Sequence, residues 1–193
     1  MSEEERLERV LDAAYVCFTR HGVRRTTMED IAREAGLSRP VVYQYVRNKE
    51  DAFRRLAARL LDTTLSQARS AIDEPGSLTT RLTGALEAKL GLAVGLWRDS
   101  PAHAAELLGV DVRLSADLVD AYNTSLCELL SDAITRARPE VDAAEFAELL
   151  LAFTRGLEAD LSDPETPARR LRRGVALLVA GLDQPATLEK EPS

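Results

Sequence analysis

Apolar residues recur along this chain three and four positions apart, the repeat of one helical face, and they do so nearly from end to end. Residues 5–22 read as a first helix, with Leu7, Val10, Leu11, Ala14 and Phe18 on one stripe and Gly22 as its stop. Met28, Ile31, Ala32 and Ala35 give a second helix its buried side, and Val42 with Val46 does the same for a third. The boundaries are punctuated. Thr27 and Asp30 suit a cap for the second helix and Gly36 its end; Ser38 suits a cap for the third, with Pro40 in its first turn. Asn48 and Asp51 suit a cap for a fourth helix, running from Lys49 to about Ile72 and ending before the break Asp73–Glu74–Pro75–Gly76–Ser77.

Beyond the break the pattern stays helical. Leu78–Leu96 is one expected helix, and Ala102–Leu108 a short one between Pro101 and Gly109. Val112–Arg138 is long, with Leu114, Leu118, Tyr122, Leu126, Leu129 and Ala133 in register. Ala143–Asp160 carries Phe146, Leu150, Phe153 and Leu157, and a last helix, about Pro167–Leu182, carries Leu171, Val175, Leu178 and Leu182. The polar tail from Asp183 is expected to fray. No run of alternating β-branched residues is long enough for a strand, so the fold class is all-α with about nine helices.

Hydrophobic residues make up 45% of the 193, enough for a real core, while aromatics are only 5%, which favours helix-on-helix packing. The net charge of −7 argues against a uniformly basic nucleic-acid binder. Its distribution changes that picture. Arg20–Lys49 holds seven basic residues against three acidic ones, a local +4 that leaves −11 on the remainder. Cys17 and Cys127 are far apart among apolar helical positions and read as buried free thiols of a reducing compartment. The acidic start MSEEERLERV lacks the apolar core of a signal peptide, and no apolar stretch approaches the roughly 18 residues that cross a bilayer, so no membrane partner and a cytoplasmic location are expected.

The second and third helices are about two turns each, too short to stand alone in water, so the unit they form exists to present a surface. It presents Arg39, Tyr43, Gln44, Tyr45 and Lys49, residue types that bind phosphates and base edges. This is the pattern of a DNA-binding helix-turn-helix. Arg39 and Gln44 are the candidates for base edges, because Arg matches guanine and Gln matches adenine; Val41 suits a thymine methyl group. Arg24 and Arg25, just before the second helix, are positioning charges. Lys49 sits in a first helical turn, where the dipole disfavours a cation, so its role is other than helix stability.

The quoted residues resemble the TetR-type (tetracycline-repressor-like) family of bacterial transcriptional regulators. The features are Phe18–Thr19–Arg20–His21–Gly22, then Thr26 and Thr27 with Ile31–Ala32, then Ala35–Gly36–Leu37–Ser38. Val42–Tyr43, Tyr45–Val46 and Asn48–Lys49–Glu50 complete them. The likeness covers about residues 8–56, and the rest only in helix count and order. The family commonly has Phe at the position of Val46 and Leu at that of Phe53, swaps that keep an apolar side chain. The resemblance implies an N-terminal three-helix helix-turn-helix domain over 1–50, a connecting helix over 49–72, and a C-terminal helical bundle over 73–193 that senses ligand and forms dimers. It makes Thr27, Tyr43, Tyr45 and Lys49 phosphate contacts, and Ser38–Arg39–Pro40–Val41 the start and variable part of the recognition helix. For Tyr43 and Tyr45 the alternative is packing into the small core.

One such unit covers few base pairs, so a specific site needs two copies about one turn of DNA apart, roughly 34–36 Å, and hence a homodimer on a palindromic operator. Ala147, Leu150, Leu151, Thr154 and Leu157, with Leu171, Val175, Leu178 and Leu182, are the interface candidates on the last two helices; the alternative is that these stripes face the subunit's own core. Arg169, Arg170, Arg172 and Arg173 read as a solvated face answering Glu145 and Glu148 rather than a second DNA site. The resemblance further implies a small-molecule inducer among the fifth to eighth helices. Trp97, His103, Tyr122, Asn123 and Phe153 interrupt those apolar helices and are its candidate contacts, and the scarcity of charge there points to an apolar or weakly polar ligand. No cofactor or metal site is expected. Only two histidines exist, and there is no HExxH, Walker loop or GxSxG, so an enzyme is not expected. A helical interaction protein without operator binding would carry neutral or acidic residues at the DNA face, where this chain has Arg39, Gln44 and Lys49. Repression rather than activation follows from family habit alone.

Overall fold

The computed structural model describes residues 2–103, 112–161, 163 and 165–182, and among them the regular structure is entirely helical. Eight helices follow in order: α1 (Glu3–His21), α2 (Met28–Ala35), α3 (Arg39–Tyr45), α4 (Lys49–Asp73), α5 (Leu78–Asp99), α6 (Val112–Ala137), α7 (Ala143–Leu157) and α8 (Glu165–Gly181). The expected short helix at Ala102–Leu108 falls from residue 104 onward outside the described residues, as do the tail from Asp183 and the side chain of Leu114.

Local chemistry sets the helix ends. Ser2 and Glu5 form a reciprocal capping box at the start of α1. That helix ends at Gly22, whose φ of 78° suits glycine and whose N–H donates to the Phe18 carbonyl at 2.9 Å. Thr27 and Asp30 form a second capping box on α2, which stops at Gly36 in the left-handed conformation. Ser38 occupies the N-cap of α3 as expected, but its side chain makes no capping hydrogen bond. The Asn48 side chain accepts the Asp51 N–H at 2.7 Å to start α4, and Asp142 accepts the Glu145 N–H at 3.1 Å to start α7.

The chain forms two compact units, one of residues up to 67 with 91–126, the other of 68–90 with residues from 127, so the division falls within α4, α5 and α6. The first unit holds a core of Val10, Leu11, Ala14, Phe18, Ile31, Ala32, Val42, Val46, Phe53 and Leu56. Phe18 and Phe53 meet edge to face, centroids 5.8 Å apart. Thr26 is buried there, its hydroxyl donating to the Gly22 carbonyl at 2.8 Å and to that of Cys17 at 3.1 Å. Long-range polar links complete the unit. Ser100 donates to the Thr19 carbonyl at 2.6 Å, Tyr15 donates to Asp99 at 2.6 Å, and Arg54 binds Asp117 through both nitrogens. That fork holds the exposed Asp117 carboxyl down at about 2.

The second unit is built on Ile72, Leu82, Leu86, Leu130, Ile134, Leu150 and Leu171. Lys89 and Glu158 form a largely buried ion pair at 2.7 Å, and α7 packs on α8 where Gly174 leaves room for the Phe153 ring. Register differs from expectation in two places. On α6 Leu130 is fully buried and Leu129 only partly, and on α8 Val179 rather than Leu178 continues the stripe from Val175. Adjacent apolar residues offer two faces, and tertiary packing chooses between them.

Candidate nucleic-acid interface and an apolar cavity

The turn between α2 and α3 is fixed from beneath. Val42 is fully buried and Val46 nearly so, and these two residues pin a helix of seven residues to the core of its unit. The opposite face is open: Ser38, Arg39, Pro40, Tyr43 and Gln44 are exposed, and Val41 is half-buried. The two tyrosines divide between the two expectations. Tyr43 is 42% exposed, whereas Tyr45 is half-buried and packs against the core. Arg39 lies one turn before Tyr43, its guanidinium carbon 5.5 Å from the ring centroid and its Nη2 donating to the hydroxyl at 3.3 Å. That hydrogen bond raises the pKa of an already permanent cation. Its rotamers are narrowed before any ligand arrives.

Lys49 is half-buried, and its Nζ donates to the Arg24 carbonyl at 3.0 Å, tying the start of α4 to the turn before α2. Arg24 and Arg25 are exposed. Thr27 is exposed but commits its hydroxyl to the cap, donating to Asp30 at 2.6 Å. These Thr27 hydrogen bonds, from side chain and backbone, hold the Asp30 carboxyl below the ordinary range, with Arg33 adding to the effect. Arg20 pairs with Glu34 at 3.3 Å. The basic surface is therefore partly neutralised around α2 and least so on α3.

The same unit holds a partly open apolar cavity of about 120 Å³. Tyr15 and Phe18 of α1, Phe53, Leu56, Ala57, Leu60 and Leu61 of α4, Leu92 and Leu96 of α5, and Ser115 and Val119 of α6 line it. Tyr15 and Ser115 are its polar lining, and the Tyr15 hydroxyl has its pKa pushed up to about 12 by burial first and then by the hydrogen bond to Asp99. None of the five residues expected at a ligand lines this cavity. Trp97 and Asn123 are half-buried; Tyr122, 7% exposed, lines a separate hollow with Leu61, Leu65 and Leu118; His103 lines a third. Phe153 belongs to the other unit, where its ring packs over Gly174. The cavity residues were missed because Leu, Ala and Phe at helical spacing read as core. The one available signal was the adjacent pair Leu60–Leu61 with Ala57, too many apolar side chains for one face of α4.

The expected interface residues divide by burial: Ala147, Leu150, Leu151, Thr154, Leu171 and Val175 are buried within the chain itself, and Leu157, Leu178 and Leu182 are half-buried. The large apolar residues that α7 and α8 leave exposed are Leu149, 48% exposed, and Leu177, 64% exposed. Cys17 is buried as expected, its thiol pushed up to about 11 by burial, with Glu34 and Asp30 adding to it. Cys127 is only half-buried, and burial raises it too. Neither is poised as a nucleophile. Among the described residues no helix is long and apolar enough to cross a membrane, and no group of His, Cys, Asp or Glu is arranged to hold a metal.

A short exposed helix anchored by two valines and preceded by a capped partner helix and a glycine turn defines a helix-turn-helix module. Residues 10–56 match the family of bacterial regulatory proteins called the tetR family, a match confined to the segment that holds this module. The chain is 40% identical over 63 residues to YfiR of Bacillus subtilis (strain 168), an uncharacterized HTH-type transcriptional regulator; the match spans 33% of this chain and 31% of that relative. Two solved structures resemble the whole fold. The fatty acid degradation regulator FadR from Bacillus halodurans superposes with a TM-score of 0.74 at 15% identity, covering 96% of this chain and 100% of that one. The complex of SmeT with triclosan superposes at 0.70 with 22% identity, covering 98% and 99%; SmeT is the repressor of a multidrug efflux pump of Stenotrophomonas maltophilia. At those identities the likeness is one of fold.

Proposed function

We propose that this chain is a DNA-binding transcriptional regulator, a homodimeric repressor of a palindromic operator that a small apolar inducer releases. The observation that carries the reading is the exposed face of α3, where Arg39 is held against Tyr43 beside Gln44 on a helix pinned by Val42 and Val46. Arg39 and Gln44 read base edges, Val41 meets a thymine methyl, and Ser38, Pro40, Tyr43, Arg24, Arg25 and Lys49 border the phosphates. Thr27 and Tyr45 act chiefly by holding that frame, one through its cap and the other through the core.

The cavity supports an inducer of modest size, since an apolar cavity of about 150 Å³ accommodates benzene. The repressor SmeT forms a complex with triclosan, a precedent on the same fold. Phe18 and Phe53 belong at once to the cavity wall and to the core that carries α3, so an occupant bears directly on that packing. It acts only through its difference in affinity between the binding and released arrangements.

The reading is tested by selecting from random duplexes at two salt concentrations with ligand-stripped protein. A palindromic motif retained with a steep salt dependence is expected. Retention without sequence preference would instead favour an interaction protein of the same fold. Filling the cavity by Ala57→Leu should leave operator binding in place and abolish release by small apolar compounds, read by fluorescence anisotropy.

A further inference from the structure

The hollow that His103 lines is polar, about 230 Å³, and lies in the first unit, with Arg20, His21, Arg25 and Asp30 completing its lining. It gathers both histidines of the chain, 82 positions apart in sequence, with two arginines. Arg20 and His21 close α1, where the helix dipole favours cations, but that accounts for neither Arg25, in the following turn, nor His103 beyond α5. The lining is almost wholly donors. Guanidinium groups have no acceptor, and imidazoles supply N–H groups and, when protonated, charge. The one carboxylate, Asp30, is already engaged by the Thr27 backbone and hydroxyl and by Arg33. Arg20 shares its charge with Glu34 but keeps a largely exposed side chain.

We propose that this hollow is an oxyanion site for a phosphate group, held by Arg20 and Arg25 with His21 and His103 closing over it. It is distinct from the base-reading face of α3 and from the apolar cavity, and it shares only Arg25 with the phosphate-bordering residues proposed above. The phosphate has two possible sources, the DNA backbone beside the module or a free phosphorylated metabolite. The test titrates the full chain with inorganic phosphate, without DNA, following the imidazole resonances by NMR against sodium chloride of equal ionic strength. With only two histidines, His21→Gln and His103→Gln assign the signals. The expected result is that both histidines shift along one saturating curve absent in chloride, and that Arg25→Ala weakens it about tenfold or more. Arg20→Gln, also at an exposed position, should weaken it in the same sense. Duplex DNA that displaces phosphate regardless of sequence assigns the site to the backbone; independent binding of both assigns it to a free ligand. Shifts that fail to saturate, that chloride reproduces, or that reach only one histidine overturn the site.

Discussion

Arg39 and Tyr43 stand one turn apart on an exposed face, and a pair that stacks and hydrogen-bonds at once loses less freedom on meeting a base edge than a free arginine does. Tyr15 shows the opposite use of a tyrosine. It is half-buried at the margin of the cavity and donates to Asp99, 84 residues away. Its folded pKa stands at about 12, above its ordinary value of 10.0, so the neutral phenol is the form the fold favours. Its contribution is then complete below about pH 10 and disappears as pH rises through about 12. Tyr15→Phe should be less stable near pH 8 and lose stability less steeply through that alkaline window, compared by urea unfolding across pH. The caps Thr27–Asp30 and Asn48–Asp51 were legible in the sequence because they are made three residues apart. The Tyr15–Asp99, Ser100–Thr19 and Arg54–Asp117 links were not, because nothing local marks a partner more than sixty residues distant.

Helices α2 and α3 were readable almost to the residue, since glycine, a cap and a proline fix the ends of segments too short to shift register. Helices α7 and α8 were readable as helices but not as faces. Leu149, Leu150 and Leu151 follow one another, and only packing turns Leu150 inward and Leu149 outward. Their contact depends on a small residue that the sequence did not flag for it. A Cβ at Gly174 would overlap the far edge of the half-buried Phe153 ring, which must swing aside, so Gly174→Ala should destabilise by at most about 1 kcal/mol once the helix preference of Ala over Gly is counted. Phe153→Leu in the same chain should recover part of that loss, and a double-mutant cycle by chemical denaturation measures the coupling.

For the whole molecule, the proposed reading requires a second copy, because one recognition helix reads too few base pairs to specify a palindrome. Leu177 and Leu149 are the large apolar residues that α7 and α8 leave exposed, and a charge placed in an apolar interface is costly. Leu177→Glu should leave the monomer folded, lower its sedimentation coefficient to that of a single chain, and weaken operator binding with it. The acidic balance of the chain outside Arg20–Lys49 keeps such a protein from binding DNA elsewhere on its surface. If α3 reads sequence, Arg39 is the residue that most sharply decides it. The most direct measurement compares wild type with Arg39→Ala on a selected operator carrying each of the four bases at one half-site position in turn. Arg39→Ala should lose about 1–3 kcal/mol of discrimination at one symmetric position and keep it at the others. Equal loss at every position, or none, would contradict that role.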